Sequence, residues 1–184
     1  MVSSYASAGI AAYDMEGRRL WLADLGPQSH EWGSGSSPVL HEDRVIVYHG
    51  PGKESALYAL DKKTGKVLWK TVLPESQRKE RFDGFAGKSD GKLGSFSTPL
   101  LVSTDRGLEI VLSLGNQVRA FHPSQGEPLW HAEGMNPLVY TSAIAGEGLV
   151  VAMGGYFGST MALKAGGRGD VTESHRVWYE QRAT

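Results

Sequence analysis

Four tryptophans, Trp21, Trp69, Trp130 and Trp178, stand at intervals of 48, 61 and 48 residues along a chain of 184. Equal outer intervals mark one repeating unit with an insertion in the middle, and a fixed internal period constrains the fold more than any single residue can. The sharpest copy surrounds Trp69. In ALYALDKKTGKVLWKT, from Ala56 to Thr71, the pairs Leu57, Ala59 and Val67, Trp69 are apolar at period two, as in a strand with one buried face. Asp61, Lys62, Lys63, Thr64 and Gly65 form a polar break in which Gly65 is free to take the positive φ of a bulged hairpin turn. The spacing predicts a single β-hairpin.

The other copies keep the same skeleton. AFHPSQGEPLW holds Ala120, Gly126 and Trp130, with His122 in the aspartate's place. AYDMEGRRLW holds Ala12, Asp14, Gly17 and Trp21 with a turn one residue shorter, and Ala162 and Trp178 bracket the longer stretch KAGGRGDVTESHR. Upstream lie Ser37-Pro38-Val39-Leu40, Thr98-Pro99-Leu100-Leu101 and Thr141-Ser142-Ala143-Ile144, each leading into a β-rich run, RVIVYHG, LEIVLSLG or GLVVAMGG. Each full unit therefore contains four short strands, the signature of a propeller blade. Near-continuous apolar runs fit sheets covered on both faces. Taken alone, GIAAYDMEGRRLWLADLG also fits an amphipathic helix with Ile10, Tyr13, Leu20 and Trp21 on one face; the recurrence of the pattern favours strands.

The series AxDxxTGxxxW resembles the tryptophan-docking motif of the pyrroloquinoline-quinone-like β-propeller family, which includes quinoprotein dehydrogenases and the outer membrane protein assembly factor of the β-barrel machinery. The resemblance implies an all-β propeller of four-stranded antiparallel blades over residues 1–184. It implies docking roles for Ala12, Gly17 and Trp21, for Ala59, Gly65 and Trp69, for Ala120, Gly126 and Trp130, and for Trp178, each indole lying across glycine-containing backbone of the next blade. It also implies export to the periplasm. A quinone enzyme of this family would need an aromatic platform, a calcium ion held by carboxylate and amide oxygens, and an aspartate base. Trp32, Glu31, Asn116 and Asp83 are the right chemical types, with Glu31 and Trp32 the candidates for the cofactor, but no spacing ties them together. The adjacent cysteines of many such dehydrogenases have no counterpart, since the chain has no cysteine.

Composition agrees with a turn-rich globular domain. Glycine supplies 24 of the 184 residues, well above the usual ~7%. A net charge of −1 without runs of one sign argues against a nucleic-acid partner or a polybasic membrane surface. Lack of cysteine excludes disulfides and thiolate metal sites, and no apolar run reaches the ~18 residues of a membrane span. MVSSYASAGIAAY has no basic residue before an apolar core, and so reads as a strand entering the first hairpin rather than as a signal peptide. Residues 1–25 supply half a blade and three fuller ones follow. About three and a half blades do not close a ring, so the chain is expected to be part of a propeller of seven or eight blades, with the remainder needed for closure. A four-bladed ring, or closure by two chains, are the alternatives.

Two loops carry the candidates for binding. In PQSHEWGSGSSP, from Pro27 to Pro38, His30, Glu31 and Trp32 either bind a small polar ligand or form an ordinary loop, with Trp32 packed over it and the other two solvated. In the insertion PESQRKERFDGFAGKSDGKLGS, from Pro74 to Ser95, which also carries Phe82 and Phe85, Arg78, Arg81, Asp83 and Lys88 are placed to meet an anionic or carbohydrate ligand on the loop face. His122 reads as a turn substitution, and His41, His49, His131 and His175 as lone surface histidines without metal-ligand spacing. MGGYFGST, with Gly154, Gly155 and Gly158, reads as a hairpin between middle strands rather than a phosphate loop, and the RGD of GGRGD as a chance match. No catalytic or metal-binding residues are assigned. The expected function is a non-catalytic scaffold that binds a protein or small polar ligand. The alternatives are a fragment of a quinoprotein dehydrogenase, with quinone and calcium completed by other blades, and a sensor or carbohydrate-associated propeller.

Overall fold

In the computed structural model all residues are described except 6, 7, 29, 53, 78–80, 82, 86–92 and 182–184. The described residues contain no α-helix, and the strands gather into four main antiparallel sheets. The first comprises β1 (Val2–Ser4), β2 (Ile10–Tyr13) and β3 (Arg19–Ala23). The second is β4 (Val39–His41), β5 (Arg44–His49), β6 (Ala56–Asp61) and β7 (Val67–Val72), in chain order across the sheet. After a two-residue strand, β8 (Gly94–Ser95), the third sheet runs β9 (Leu100–Thr104), β10 (Gly107–Leu114), β11 (Gln117–Phe121) and β12 (Pro128–Glu133). β13 (Leu138–Val139) pairs in parallel with β8. The fourth sheet is β14 (Ile144–Gly146), β15 (Leu149–Met153), β16 (Thr160–Lys164) and β18 (Arg176–Glu180). Between its last two strands the chain leaves to add β17 (Gly169–Asp170) in parallel to β12 of the third sheet.

These sheets are the blades of an open partial propeller. The first blade holds three strands where the sequence predicts two, because Val2–Ser4 folds back on Ile10–Ala12 through a turn in which Tyr5 N donates to Gly9 O.

Alternation explains why the runs look continuously apolar. On β5 and β6, Val45, Val47, Ala56, Tyr58 and Leu60 face the first blade, where they meet Ile10, Ala12 and Trp21. The intervening Ile46, Tyr48, Leu57 and Ala59 face the third blade and meet Ile110, Leu112, Leu114 and Phe121. On the far side of that blade Val111, Val118, Ala120 and Trp130 meet Val150, Ala152, Met161 and Leu163 of the fourth. A strand buried on both faces cannot show polar alternation.

Each hairpin has one register. Ala12 pairs with Trp21, Ala59 with Trp69, Ala120 with Trp130 and Ala162 with Trp178, and in all four a bulge follows the alanine. The turn chemistry explains the intervening residues. Asp61 Oδ1 accepts from the backbone N–H groups of Lys63 (3.0 Å) and Thr64 (2.7 Å) and from the Thr64 hydroxyl (2.8 Å), an Asx-type turn. Gly65, at φ +72°, then donates its N–H to Asp61 O.

Candidate functional site

Contacts between blades use the repeated residues. Trp21 lies over Gly65 of the second blade, where a Cβ would fall 2.6 Å from the indole Cε3, and its Nε1 donates to Lys62 O at 2.9 Å. Trp69 lies over Gly126 of the third blade in the same way, with Nε1 donating to Pro123 O at 3.3 Å. A ring against bare backbone needs a residue without Cβ beneath it.

Trp130 departs from this pattern. Its Nε1 donates to a side chain of its own blade, Glu109 Oε2, at 2.8 Å. Gly166 N (3.3 Å) and Arg168 Nη1 (3.0 Å) of the fourth blade's long turn reach the same carboxylate. The GGRGD segment is therefore a clamp between blades: Arg168 supplies the charge, Gly169 and Asp170 the added strand, and Asp170 accepts from Thr172 N and Oγ1. Glu109 was legible only as an acid inside the apolar run LEIVLSLG. Trp178 keeps its register with Ala162 but is 45% exposed. Gly17, at φ +80°, would have nothing within 4 Å of a Cβ.

The second candidate region is a loop face. His30 lies edge-on to Trp32 (5.8 Å between ring centroids) and to Phe96 (5.3 Å). Phe96, Tyr140 and Trp32 stack on one another at 6.3–6.5 Å, within 26° of parallel. Phe85 continues the surface from Trp32 (5.8 Å) to Tyr156 (6.1 Å), and Phe157 lies 5.1 Å beyond. Rings from four separate connections thus form one patch: the loop from Pro27 to Pro38, the insertion with its exit at Phe96, the segment before β14, and the hairpin between β15 and β16. Burial, with Asp83 nearby, pushes the Tyr140 hydroxyl up to about 12.

The charged candidates meet each other. Arg81 Nη2 and Nε bind the two oxygens of Asp83 at 2.7 and 3.0 Å, Asp83 Oδ1 also accepts Phe85 N, and the guanidinium stands 5.2 Å over the Phe85 ring. Glu31 is exposed. Arg78, Phe82 and Lys88 fall outside the described residues. Sequence reasoning missed Phe96, Tyr140, Tyr156 and Phe157, since aromatic residues scattered over 62 positions show no spacing until the blades bring their loops together.

Among the described residues, the candidate donors do not fit a calcium-dependent quinone. Asn116, in a turn at φ +72°, uses its side-chain oxygen to accept Gln77 N at 2.7 Å, and its backbone joins the segment at Gly134, Met135 and Asn136. Asp83 is held by Arg81, and among the described residues no three acidic or histidine side chains gather to hold a metal. Trp32 is stacked against Phe96 and Tyr140 rather than forming a bare platform. His49 corrects the reading of lone surface histidines: it is buried, with Nε2 3.1 Å from Gly26 O and its ring edge-on to Tyr58, and burial holds its pKa below the ordinary value.

A family profile described as outer membrane protein assembly factor BamB matches residues 6–183. No curated protein matches the chain significantly. Among solved structures, BamB from Moraxella catarrhalis is 16% identical with a TM-score of 0.44, over 96% of this chain and 59% of that one. The quinohemoprotein alcohol dehydrogenases from Comamonas testosteroni and Pseudomonas putida are each 18% identical, with TM-scores of 0.52 and 0.51. Both alignments cover 81% of this chain, and 21% and 20% of those chains respectively. Identity this low shows a shared fold. The chain spans 59% or less of the length of each of these structures.

Proposed function

The chain belongs to the outer membrane protein assembly factor BamB family, and from that premise we propose that it is a non-catalytic, protein-binding section of a propeller. On this reading residues 1–184 form one propeller domain, further blades complete the ring, and the protein works outside the cytoplasm in the assembly of outer membrane proteins. The observation that carries it is the loop face. Four connections converge there on a patch of aromatic rings, and an exposed apolar patch of this kind marks an interaction surface. Two of the side chains of the types a quinone enzyme would need, Asn116 and Asp83, are occupied by Gln77 and Arg81.

The competing reading, a section of a quinoprotein dehydrogenase, is separated by melting the chain with and without pyrroloquinoline quinone and calcium. A ligand that binds only the folded state raises the midpoint as its concentration passes its Kd. No shift is expected. A saturable rise that needs both additives would overturn the non-catalytic reading.

A further inference from the structure

Two neighbouring residues of the loop face stand in a backbone conformation that their side chains disfavour. Tyr156 and Phe157 adopt φ of +20° and +57°, in or at the edge of the left-handed region that bulky residues rarely enter. Glycines surround them, at 154, 155 and 158, so a tip that needed only to turn would carry glycine at these two places as well. It carries two large rings instead, 58% and 39% exposed. An exposed ring adds little to a core, so its presence at a strained position calls for a function.

The rest of the hairpin holds that conformation in place. Gly154 N donates to Ser159 O at 2.8 Å, Gly158 N donates to Gly155 O, and Tyr156 O accepts Gly84 N at 3.2 Å. Ser159 N donates to the side-chain oxygen of the fully buried Asn136 beneath. Gly84 brings the insertion against the Tyr156 ring, where a Cβ would overlap it. The display is therefore fixed from both sides, which lowers the ordering cost of binding.

The chemistry of the surface selects the class of ligand. Trp32, 45% exposed, Phe85, Tyr156 and Phe157 form a continuous run of rings. The Arg81 charge beside them is neutralised, because Arg81 and Asp83 form a two-point ion pair with side chains 10% and 2% exposed. Arg81, so paired, offers no net positive charge to an anionic ligand. The rings themselves offer apolar area, which large apolar side chains complement. We infer that the surface formed by Trp32, Phe85, Tyr156 and Phe157 is a docking site for an extended peptide segment, recognised through its aromatic and large apolar side chains. The inference rests on the protein-binding reading and deepens it by naming what the partner presents.

The test is calorimetric titration of the full chain with two synthetic seven-residue peptides, one alternating phenylalanine with serine and the other alanine with serine. Saturable binding of the phenylalanine peptide is expected, at least about tenfold tighter than the alanine peptide and little changed by 0.5 M salt, because charge plays little part. Phe157→Gly and Tyr156→Gly are expected to weaken binding by about fivefold or more while leaving the melting midpoint unchanged or higher, since glycine accepts positive φ without strain. Trp32→Ala is a second, independent variant with the same expected loss. A ring that served only packing would instead lower the midpoint. Equal affinity for the two peptides, absence of binding, or binding of a maltose oligosaccharide in place of the peptide would overturn the inference. If the peptides fail while quinone and calcium leave the midpoint unmoved, this surface is ruled out and the non-catalytic reading stands; a quinone-dependent rise removes both.

Discussion

The first two contacts between blades and the third solve one problem by different means. At Trp21 and Trp69 the indole lies on a glycine of the following blade and gives its N–H to a backbone carbonyl of the same turn. At Trp130 the N–H stays within its own blade, on Glu109, and the following blade reaches in with Gly166 N and Arg168. The reason lies in the turn. Ala162 and Trp178 enclose a longer connection than the other copies have, so the short turn that offers a glycine and a carbonyl to the other indoles has been replaced, and a buried carboxylate collects the donors instead. A backbone acceptor costs no charge burial. Glu109, 2% exposed at its side chain, is tolerable only because three donors converge on it.

Breaking the contacts one at a time should expose this difference. Trp130 is 1% exposed, and Trp130→Ala is expected to cost about 3–5 kcal/mol in a denaturant melt. Trp69 is only half-buried, so Trp69→Ala should cost less, about 2–3 kcal/mol. Equal losses would mean that the two contacts are energetically alike despite their geometry. Glu109→Ala removes the acceptor and strands a buried indole N–H, at an expected cost of about 2–4 kcal/mol. Arg168→Ala should cost about 1–2 kcal/mol, because Arg168 is 44% exposed and two N–H donors remain on the carboxylate. A larger loss from Arg168 than from Glu109 would put the weight of the clamp on charge rather than on the indole.

What the sequence made legible follows the same division. The first three hairpins could be read from Ala59, Asp61, Gly65 and Trp69 and their counterparts, because a hairpin is local and its turn chemistry is written in adjacent residues; the fourth was marked only by Ala162 and Trp178 at its ends. The clamp could not, since Glu109 and Arg168 are 59 residues apart and meet only when two blades stack. For the same reason His30 and Trp32 were visible as candidates while Phe96, Tyr140, Tyr156 and Phe157 were not. Arg81 and Asp83 were singled out for their charge, and their mutual pairing depends on a loop path that composition does not encode.

The glycines sharpen the comparison at smaller energies. Gly65→Ala meets two penalties, positive φ and the Trp21 ring 2.6 Å from the new Cβ, for an expected total of about 2–4 kcal/mol. Gly17→Ala meets only the first, with nothing within 4 Å, and should cost about 1 kcal/mol. The gap between the two measures the docking of an indole on backbone directly. If both cost the same, Trp21 yields to the methyl group and the contact is looser than its geometry implies.

The smallest effect concerns the turn residue itself. Hydrogen bonds lower the carboxyls of Asp14 and Asp61 below their ordinary values, chiefly from the Arg18 side chain in the first case and from Thr64 in the second. A lowered folded pKa means stability that is present above the unfolded value, about 3.9, and lost as pH falls through the folded one. The third blade lacks this contribution, since His122 Nδ1 accepts one N–H, from Ser124 at 3.2 Å, where Asp61 accepts three donors. His122→Asp should therefore raise the melting midpoint slightly near neutral pH, and adding Gln125→Thr, which restores the hydroxyl that Thr64 supplies, should raise it further. Both gains should disappear as the pH falls below about 4. A gain that persisted in acid would show that the aspartate acts through turn geometry alone, and that the ionised Asx turn contributes nothing to the difference between the second blade and the third.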